Sequence, residues 1–457
     1  MADQPARREG ILTGDTIAAA ATAAGRAAIG VVRISGPDAA RIARAVCGRE
    51  LKPRHAELCR FRAADGETID EGIALYFPKP ASFTGEDVVE LQCHGSPIVV
   101  DWLLEAVGGL GARAAGPGEF SLRAFLNDKL DLTQAEAIAD LIASGSRAQV
   151  RAAGHSLAGR FSERVAGLQA KLTELRARAE TWLDFPDEDI DHTALAELEE
   201  RWTALREAMA LVEHEAAHGS RLSDGLDVAL AGLPNAGKSS LMNQLAGAET
   251  AIVTEVPGTT RDTLRETIVL GGIALTLVDM AGLRRTEDRV EGEGVRRAEA
   301  EIAKADRVLW VADIQDGLEL AQSGARRAIP QDKPYDIVLN KIDVIHGLPR
   351  QFDDGGSTVI ALSAKTGAGV DALRRHLRAL AGLDESHEGG FSARRRHLAA
   401  LAKAREHVEA AGPLLATGLE LAAEELKAAQ AALDALTGEH TSDDLLGEIF
   451  SSFCIGK

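Results

Sequence analysis

The sequence predicts an α/β fold combined with a helical domain, and three observations lead to this prediction. The 457 residues exceed what one compact core normally organises and indicate about three domains. In two parts of the chain, short apolar runs bounded by Gly, Pro and Asp clusters alternate with helical stretches, as in α/β units. Ala-rich, Leu-periodic segments occupy most of the remainder and predict helices.

The composition indicates a folded protein with an acidic balance. Hydrophobic residues make up 45% of the chain and charged residues 26%, so wholesale disorder is excluded. The 70 acidic residues outnumber the 51 Lys and Arg residues, which gives a formal net charge of −19. Such a charge disfavours uniform coating of a nucleic-acid backbone, so any contact with nucleic acid is expected to be local.

The sequence is also typical of a cytoplasmic protein. No run of about 18 or more apolar residues is present, so no membrane-spanning helix is expected. No secretory signal pattern is visible at the start of the sequence. The cysteines, Cys47, Cys59, Cys93 and Cys454, lack metal-ligand spacing and fit a reducing compartment.

The N-terminal part reads as a mixed α/β unit from Ile11 to about Gly116. Apolar runs at Ala28–Ile34 and Val88–Leu91 predict strands. A helical region is expected next, because Thr133 and Glu136 have the spacing of a capping box ahead of helix-periodic apolar residues.

In the third part, from Leu226 to about Leu380, short apolar runs alternate with helical stretches, which predicts a parallel α/β sheet. The strands of this sheet are expected at residues 227–233, 268–280, 307–312, 337–339 and 359–362. After Phe391 the sequence again predicts helices. We therefore divide the chain into an N-terminal α+β domain (1–118), a first helical part (119–219), an inserted α/β domain (220–380) and a second helical part (381–457).

A phosphate-binding loop is predicted where the first strand of the inserted domain ends. Residues 232–239 match the P-loop pattern in full, follow an apolar strand and precede a helix. Glycines let backbone amides turn toward phosphate oxygens, Lys238 supplies a point charge, and Ser239 can ligate Mg²⁺.

Further motifs follow in the order that a guanine-nucleotide domain requires. Residues 258–262 provide a switch threonine, and residues 279–282 end a strand with Asp and Gly near the metal and the γ-phosphate. In residues 340–343, Asp343 can accept hydrogen bonds from the N1–H and 2-amino groups of guanine. Residues 363–365 complete a Ras-like GTP-binding domain. The residues expected to contact the nucleotide are Asn235, Ala236, Gly237, Lys238, Ser239, Ser240, Thr254, Glu255, Val256, Pro257, Gly258, Thr259, Thr260, Asp279, Met280, Ala281, Gly282, Asn340, Lys341, Ile342, Asp343, Ser363, Ala364 and Lys365.

The motifs do not identify the groups that would promote GTP hydrolysis. Leu283 stands where Ras-like proteins carry a water-orienting glutamine, and no arginine finger can be identified. One open alternative is a monovalent cation held by Asn235 and by oxygens of residues 254–259. A carboxylate such as Glu287 or Glu291 could orient the attacking water, although such charge runs are most often solvated.

Beyond the generic motifs, the sequence closely resembles the bacterial MnmE (TrmE) family of tRNA modification GTPases. The resemblance covers nearly the whole chain and rests on residues 30–36, 82–87, 117–120 and 126–132, and on the terminal Phe-Cys-Ile-Gly-Lys of residues 453–457. It implies a homodimer whose N-terminal domains bind 5-formyl- or methylene-tetrahydrofolate. It also implies a flavoprotein partner, MnmG (GidA), which is expected to carry the FAD. Together they would add an aminomethyl or carboxymethylaminomethyl group at C5 of the wobble uridine of certain tRNAs.

The resemblance also implies individual roles. Folate contacts map onto Arg33, Glu90, Lys129 and Lys457, the K⁺ ligands onto Asn235, Thr254, Val256 and Thr259, and the Mg²⁺ ligands onto Ser239 and Thr260. The catalytic candidates are Glu291, which would orient water, together with Lys238, Asp279 and Cys454.

Two features remain open at this point. Met280 replaces the Thr that the family usually has, which we expect to alter packing more than activity. Cys454 could instead be a small buried residue at a helix end beside Phe450 and Phe453.

The competing function is a ribosome-assembly switch GTPase, although no second GTP-binding domain or RNA-binding module follows the first.

Overall fold

The computed structural model divides the chain into two compact units. It describes residues 14–184, 192–224, 226–232, 235–246, 265–270, 273–279, 302, 305–331, 333–354, 356–380, 390–438, 443–451 and 453–456. The first unit takes its described residues from Met1–Ala139, Leu157–Arg206 and Lys403–Lys457, and the second takes its residues from Asp140–Ser156 and Glu207–Ala402.

A six-stranded sheet forms the centre of the first unit. Its strands are β1 (Ile17–Ala20), β2 (Ile29–Ser35), β3 (Glu57–Arg62), β4 (Thr68–Phe77), β5 (Val88–His94) and β6 (Arg113–Ala114), in the order β3-β4-β5-β2-β1-β6. All neighbours are antiparallel except β1 and β6. Apolar residues alternate along the strands because one face packs with helices α1 (Ala39–Cys47) and α2 (Pro97–Gly109) in one core. The predicted N-terminal α/β unit is confirmed.

Most of the described residues outside the two sheets lie in helices. They are α3 (Glu119–Leu126), α4 (Leu132–Ala143), α5 (Arg147–Leu157), α6 (Arg160–Asp184), α7 (His192–Asp224), α8 (Lys238–Ala246), α9 (Leu318–Ala328), α10 (Val370–Leu380), α11 (Arg395–Leu414), α12 (Leu419–Thr437) and α13 (Asp443–Ser451). Among the described residues, no helix has both the length and the apolarity that crossing a bilayer requires.

The capping box of α4 differs from the predicted one. Asp131 Oδ1 accepts a hydrogen bond from the Gln134 amide at 2.9 Å, and Gln134 Oε1 accepts one from the Asp131 amide at 3.0 Å. The reciprocal pair therefore lies two residues before the predicted Thr133 and Glu136. Thr133 instead donates to Asp131 Oδ1 at 2.7 Å, because it already lies in the first turn.

The second unit contains a seven-stranded sheet with parallel central strands. The strands are β7 (Leu226–Gly232), β8 (Arg265–Leu270), β9 (Ile273–Asp279), β10 (Arg307–Asp313), β11 (Tyr335–Asn340), β12 (Arg350–Asp354) and β13 (Ser357–Ala361), in the order β12-β13-β11-β10-β7-β9-β8. Strands β8 and β12 are antiparallel edge strands. The prediction of one strand at 268–280 is therefore wrong in detail, because this part of the chain forms the antiparallel pair β8–β9.

Burial on both faces explains why the central strands read as continuous apolar runs. In β10, Leu309 and Val311 belong to one core cluster, whereas Val308 and Trp310 belong to the cluster on the opposite face. The carboxyl ends of the parallel strands meet at one edge of the sheet, which is where open α/β sheets bind ligands. The motifs predicted for nucleotide binding follow β7 and β11 at this edge.

Candidate functional site

The P-loop connects the end of β7 to the start of α8. Lys238, which is 5% exposed, donates from Nζ to the carbonyl oxygen of Gly232 at 3.1 Å. A Cβ on Gly232 would collide with the carbonyl oxygen of Val311, so the loop can leave the strand only at a glycine. Asn235 has a φ of 62°, which turns the loop sharply before the helix. The Lys238 ammonium is thus held by the backbone of its own loop, the kind of loop whose amides can face phosphate groups.

A buried side chain joins the P-loop to the end of strand β11. Asn340, at the end of β11 and 3% exposed, donates from Nδ2 to the carbonyl oxygen of Ala236 at 2.8 Å. Its Oδ1 accepts from the Ala364 amide, also at 2.8 Å. A Cβ on Gly237 would collide with Asn340 Nδ2, so the loop and this side chain can approach only because residue 237 is glycine.

The Asp343 carboxylate is held in place by a side chain from the third loop. Ser363 Oγ donates to Asp343 Oδ1 at 2.6 Å. The backbone supports the same junction, since the Ile342 amide donates to the carbonyl oxygen of Leu362 at 3.3 Å. The Ile342 side chain packs in the core of the second unit, so it can contribute to a ligand site only through its backbone. Asp343 lines the cavity, and a carboxylate oxygen can accept hydrogen bonds there.

These groups surround one cavity of about 580 Å³. It is lined by Gly237, Ser240, Asn243, Gln244, Asn340, Lys341, Asp343, Val344, Ala364 and Lys365. Sequence reasoning missed Asn243, Gln244 and Val344. The signal was available for the first two, because residues three and four positions after Ser240 share its helix face.

A second polar site lies on the sheet of the first unit. Arg33 donates from Nε and Nη2 to Glu90 Oε1, at 3.0 and 2.8 Å, across paired positions of β2 and β5. The guanidinium carbon lies 5.5 Å from the ring centroid of Phe83 and 5.8 Å from that of Phe120. Arg33 Nη1 also donates to the carbonyl oxygen of Gly456 at 3.5 Å, so the C-terminal segment reaches this site.

Comparison with known proteins assigns the chain to a family. A family model for the MnmE helical domain matches residues 132–454, which is more than half of the chain. The chain belongs to the MnmE family. A second model, for the N-terminus of the GTP-binding protein TrmE, matches residues 16–129.

Relatives over nearly the full length support the same family. The tRNA modification GTPase MnmE of Alkalilimnicola ehrlichii is 52% identical over 444 residues, 97% of this chain and 99% of that protein. The MnmE of Nitrosococcus oceani is 50% identical over 445 residues, 97% of both chains. Among solved structures, the G domain of the T. maritima FeoB iron transporter is 26% identical and covers 34% of this chain and 98% of that chain. Its TM-score of 0.27 is too low to bear on the assignment.

Several MnmE positions fall outside the described residues. These are Thr254, Glu255, Val256, Pro257, Gly258, Thr259, Thr260, Met280, Ala281, Gly282, Glu291 and Lys457. Asp279 is described as the last residue of β9, in register with Leu230 of β7, which places it at the same sheet edge as the P-loop. Of the two predicted Mg²⁺ ligands, Ser239 is described, and it is exposed in the first turn of α8.

The C-terminal segment of this MnmE family member packs on the first unit. The Gly118 amide donates to the carbonyl oxygen of Cys454 at 3.3 Å, and Ile455 forms a bridge with Pro117. Cys454 is exposed, so the alternative of a small buried residue at a helix end is wrong. The buried residue at that position is Phe453. Of the folate candidates, Lys129 lies close to Gly85, whose added Cβ would stand 3.4 Å from Lys129 Cγ.

Arg394 and Arg395 begin a run of three arginines, and both form ion pairs within the second unit. Arg394 pairs with Asp140 at 2.6 Å and Arg395 with Asp306 at 3.4 Å. His397 is 2% exposed, and its Nδ1 accepts from the Arg394 amide at the start of α11. Within the described ranges, no group of three or more His, Cys, Asp or Glu residues could hold a metal ion.

Proposed function

We propose that the chain is a GTP hydrolase that acts in tRNA modification. One observation carries the guanine assignment: Asn340 and Asp343 meet the P-loop around one cavity, with Asp343 oriented by Ser363. An adenine base offers no N1–H or 2-amino donor to that carboxylate, so the site favours guanine. The names of the MnmE relatives support tRNA modification as the process served.

Mg²⁺ and K⁺ belong to this proposal. Ser239 and Thr260 would hold Mg²⁺, and Asn235, Thr254, Val256 and Thr259 would hold K⁺. The exposed Ser239 hydroxyl fits the first role, and the exposed Asn235, with its left-handed backbone, fits the second. A bound K⁺ would supply the charge that another GTPase takes from an arginine finger. Lys238 would bind phosphate oxygens, and Glu291 would orient water.

A folate site is proposed on the first unit. The paired Arg33 and Glu90, with Lys129 and Lys457, would bind a 5-formyl- or methylene-tetrahydrofolate. The donors and acceptors of Arg33 and Glu90 suit a pterin ring and a glutamyl carboxylate, and their side chains are only 21% and 20% exposed. Cys454 would lie close to the bound cofactor, since the neighbouring Gly456 contacts Arg33.

The proposal extends to the wider assembly that the family resemblance implies. The chain would form a homodimer and act with the flavoprotein MnmG, which carries FAD, to modify C5 of the wobble uridine. Residues 220–380 would be a GTPase domain inserted between helical parts 119–219 and 381–457. Because the net charge is −19, the affinity of this chain alone for tRNA should be modest and should fall as salt rises.

Two experiments test the proposal. GTP turnover is measured in K⁺ and in Na⁺ at equal ionic strength, for the natural chain and for Glu291→Ala. A sharp fall in Na⁺, and a Glu291→Ala protein that binds GTP without hydrolysing it, are expected. Equal rates in both salts would remove the K⁺ role. Nucleoside mass analysis of tRNA from a deletion strain tests the process, and unchanged wobble modification would contradict it.

A further inference from the structure

The lysine of the base-recognition motif is held by a carboxylate from the neighbouring strand. Lys341 Nζ lies 2.8 Å from Asp313 Oδ2. Asp313 is the last residue of β10 and pairs in register with Asn340, so the parallel sheet itself places this carboxylate beside the motif. The side chains of Lys341 and Asp313 are 35% and 19% exposed, which shields the pair more than most surface ion pairs.

Asp313 is fixed on its other side by the backbone. Its Oδ1 accepts from the Gln315 amide at 3.1 Å and caps the short 3₁₀ turn Ile314–Asp316. Burial acts to raise the pKa of Asp313, but the Lys341 ammonium and the Gln315 amide together lower that pKa below its usual value. The carboxylate is therefore charged at neutral pH, with one oxygen for the cap and one for the lysine.

Lys341 lines the cavity, whereas Asp313 does not. Lys341 has a left-handed backbone, with a φ of 69°, and its ammonium is tied to Asp313. The aliphatic stem between these two fixed points is therefore restrained along the cavity wall. A free lysine side chain carries about 2 kcal/mol of rotamer entropy, so restraining it in advance reduces what a ligand must order on binding.

We propose that Asp313 is a positioning residue for guanine nucleotides, which holds the Lys341 stem where the face of the purine base will lie. This inference rests on the proposed function, since it concerns the same cavity. Asp313 acts only through Lys341, so it sets affinity and residence time. The choice between bases is assigned to Asp343, which accepts a hydrogen bond from Ser363 and not from Lys341 or Asp313 in any contact that the structure gives.

The test compares Asp313→Asn with a matched control in the full-length chain. Asparagine keeps an oxygen for the Gln315 amide but removes the charge that holds Lys341. Asp316→Asn, at an exposed position of the same turn, removes the same charge without touching Lys341. A fluorescent GDP analogue is titrated at equilibrium, and its release is followed by stopped flow.

We expect Asp313→Asn to raise the Kd for GDP about 5- to 10-fold, mainly through faster release. The KM for GTP should rise while kcat at saturating GTP and the preference for GDP over XDP stay the same. Asp316→Asn should match the natural chain. In a Lys341→Met background, which keeps the stem and removes the charge, the effect of Asp313→Asn should fall below about 2-fold.

Two results would overturn the inference. One is an unchanged Kd for GDP in Asp313→Asn. The other is a loss of GDP affinity that persists in full in the Lys341→Met background. That second result would mean that Asp313 affects binding through the fold and not through Lys341. Either result can occur while the natural chain binds GDP, so the proposed function would survive. Absence of guanine-nucleotide binding by the natural chain would instead remove the proposed function itself.

Discussion

Asn340 Nδ2 lies 2.8 Å from the carbonyl oxygen of Ala236, so one buried amide links the end of strand β11 to the P-loop. The same side chain accepts from the Ala364 amide, which ties a third loop to the junction. The elements that would hold phosphate and base are therefore mechanically dependent on each other. A change at Asn340 should affect both at once.

Asn340→Ala should abolish tight guanine-nucleotide binding and weaken the fold of the second unit. It leaves the Ala236 carbonyl and the Ala364 amide without this partner, and each buried unsatisfied group costs about 1–3 kcal/mol. Nucleotide titration and urea unfolding measure the two effects. Asn243→Ala, at an exposed position of the same cavity, should cost little stability. Unchanged unfolding of Asn340→Ala would contradict the linking role.

Asp343→Asn should change the base preference from guanine to xanthine. The carboxylate accepts from the guanine 2-amino group, whereas an asparagine amide can donate to the xanthine 2-carbonyl. Ser363 Oγ can still donate to the asparagine oxygen, so the loop geometry should persist. Competition between GDP and XDP measures the preference, and an Asp343→Asn protein that still favours GDP would show that another group selects the base.

Gly456→Ala should detach the C-terminal segment from the first unit. Gly456 has a φ of 96°, and a Cβ there would collide with the carbonyl oxygen of Ala20. We expect folate affinity to fall by about 10-fold or more, which corresponds to about 1.4 kcal/mol. Isothermal titration with 5-formyl-tetrahydrofolate measures this, and GTP turnover by the second unit should not change.

Gly447→Ala is the matched control for that substitution. Gly447 lies in α13 of the same segment, and a Cβ there would meet no atom within 4 Å. Alanine in a helix interior is favoured over glycine by about 1 kcal/mol, so this variant should keep or gain stability. Equal folate affinity of Gly456→Ala and Gly447→Ala would show that the segment does not contribute to the site.

The buried Asp336 predicts a specific dependence of stability on pH. Burial acts to raise its pKa, but His376, Arg307 and the Thr358 amide lower the pKa to about 2, from 3.8. A depressed carboxyl pKa gives stability that is present above about pH 4 and is lost as the pH falls through about 2. A shift of this size corresponds to ~2 kcal/mol.

Asp336→Asn tests this, because an amide has no charge to lose. The difference in unfolding free energy between the natural chain and Asp336→Asn should shrink steadily between pH 4 and pH 2. Asp371→Asn, at a side chain 81% exposed, should show little difference at any of these pH values. A constant difference for Asp336→Asn would mean that its carboxylate is not the group that titrates.

Local motifs were predicted well where the chemistry depends on residue type. The P-loop and residues 340–343 require particular glycines and polar groups, and the structure brings them to one cavity. The capping box of α4 was misplaced by two residues because Asp131 and Thr133 are both good capping residues, and the sequence does not say which one precedes the first turn.

Long-range pairings could not be predicted from the sequence. The Asp313–Lys341 pair depends on the register of β10 against β11, which packing decides. Cys454 was ambiguous for a similar reason, since the alternation of buried Phe453 and exposed Cys454 follows from where the C-terminal segment lies. A carboxylate at the end of a strand adjacent to a known motif is the signal that could have suggested Asp313.

The contact between Arg33 and Gly456 joins residues 423 positions apart in the chain. During translation, the ribosome completes the strand that carries Arg33 long before it makes Gly456. The whole seven-stranded sheet of the second unit is synthesised in that interval. The polar site on the first unit is therefore completed only after the sheet of the second unit has been made.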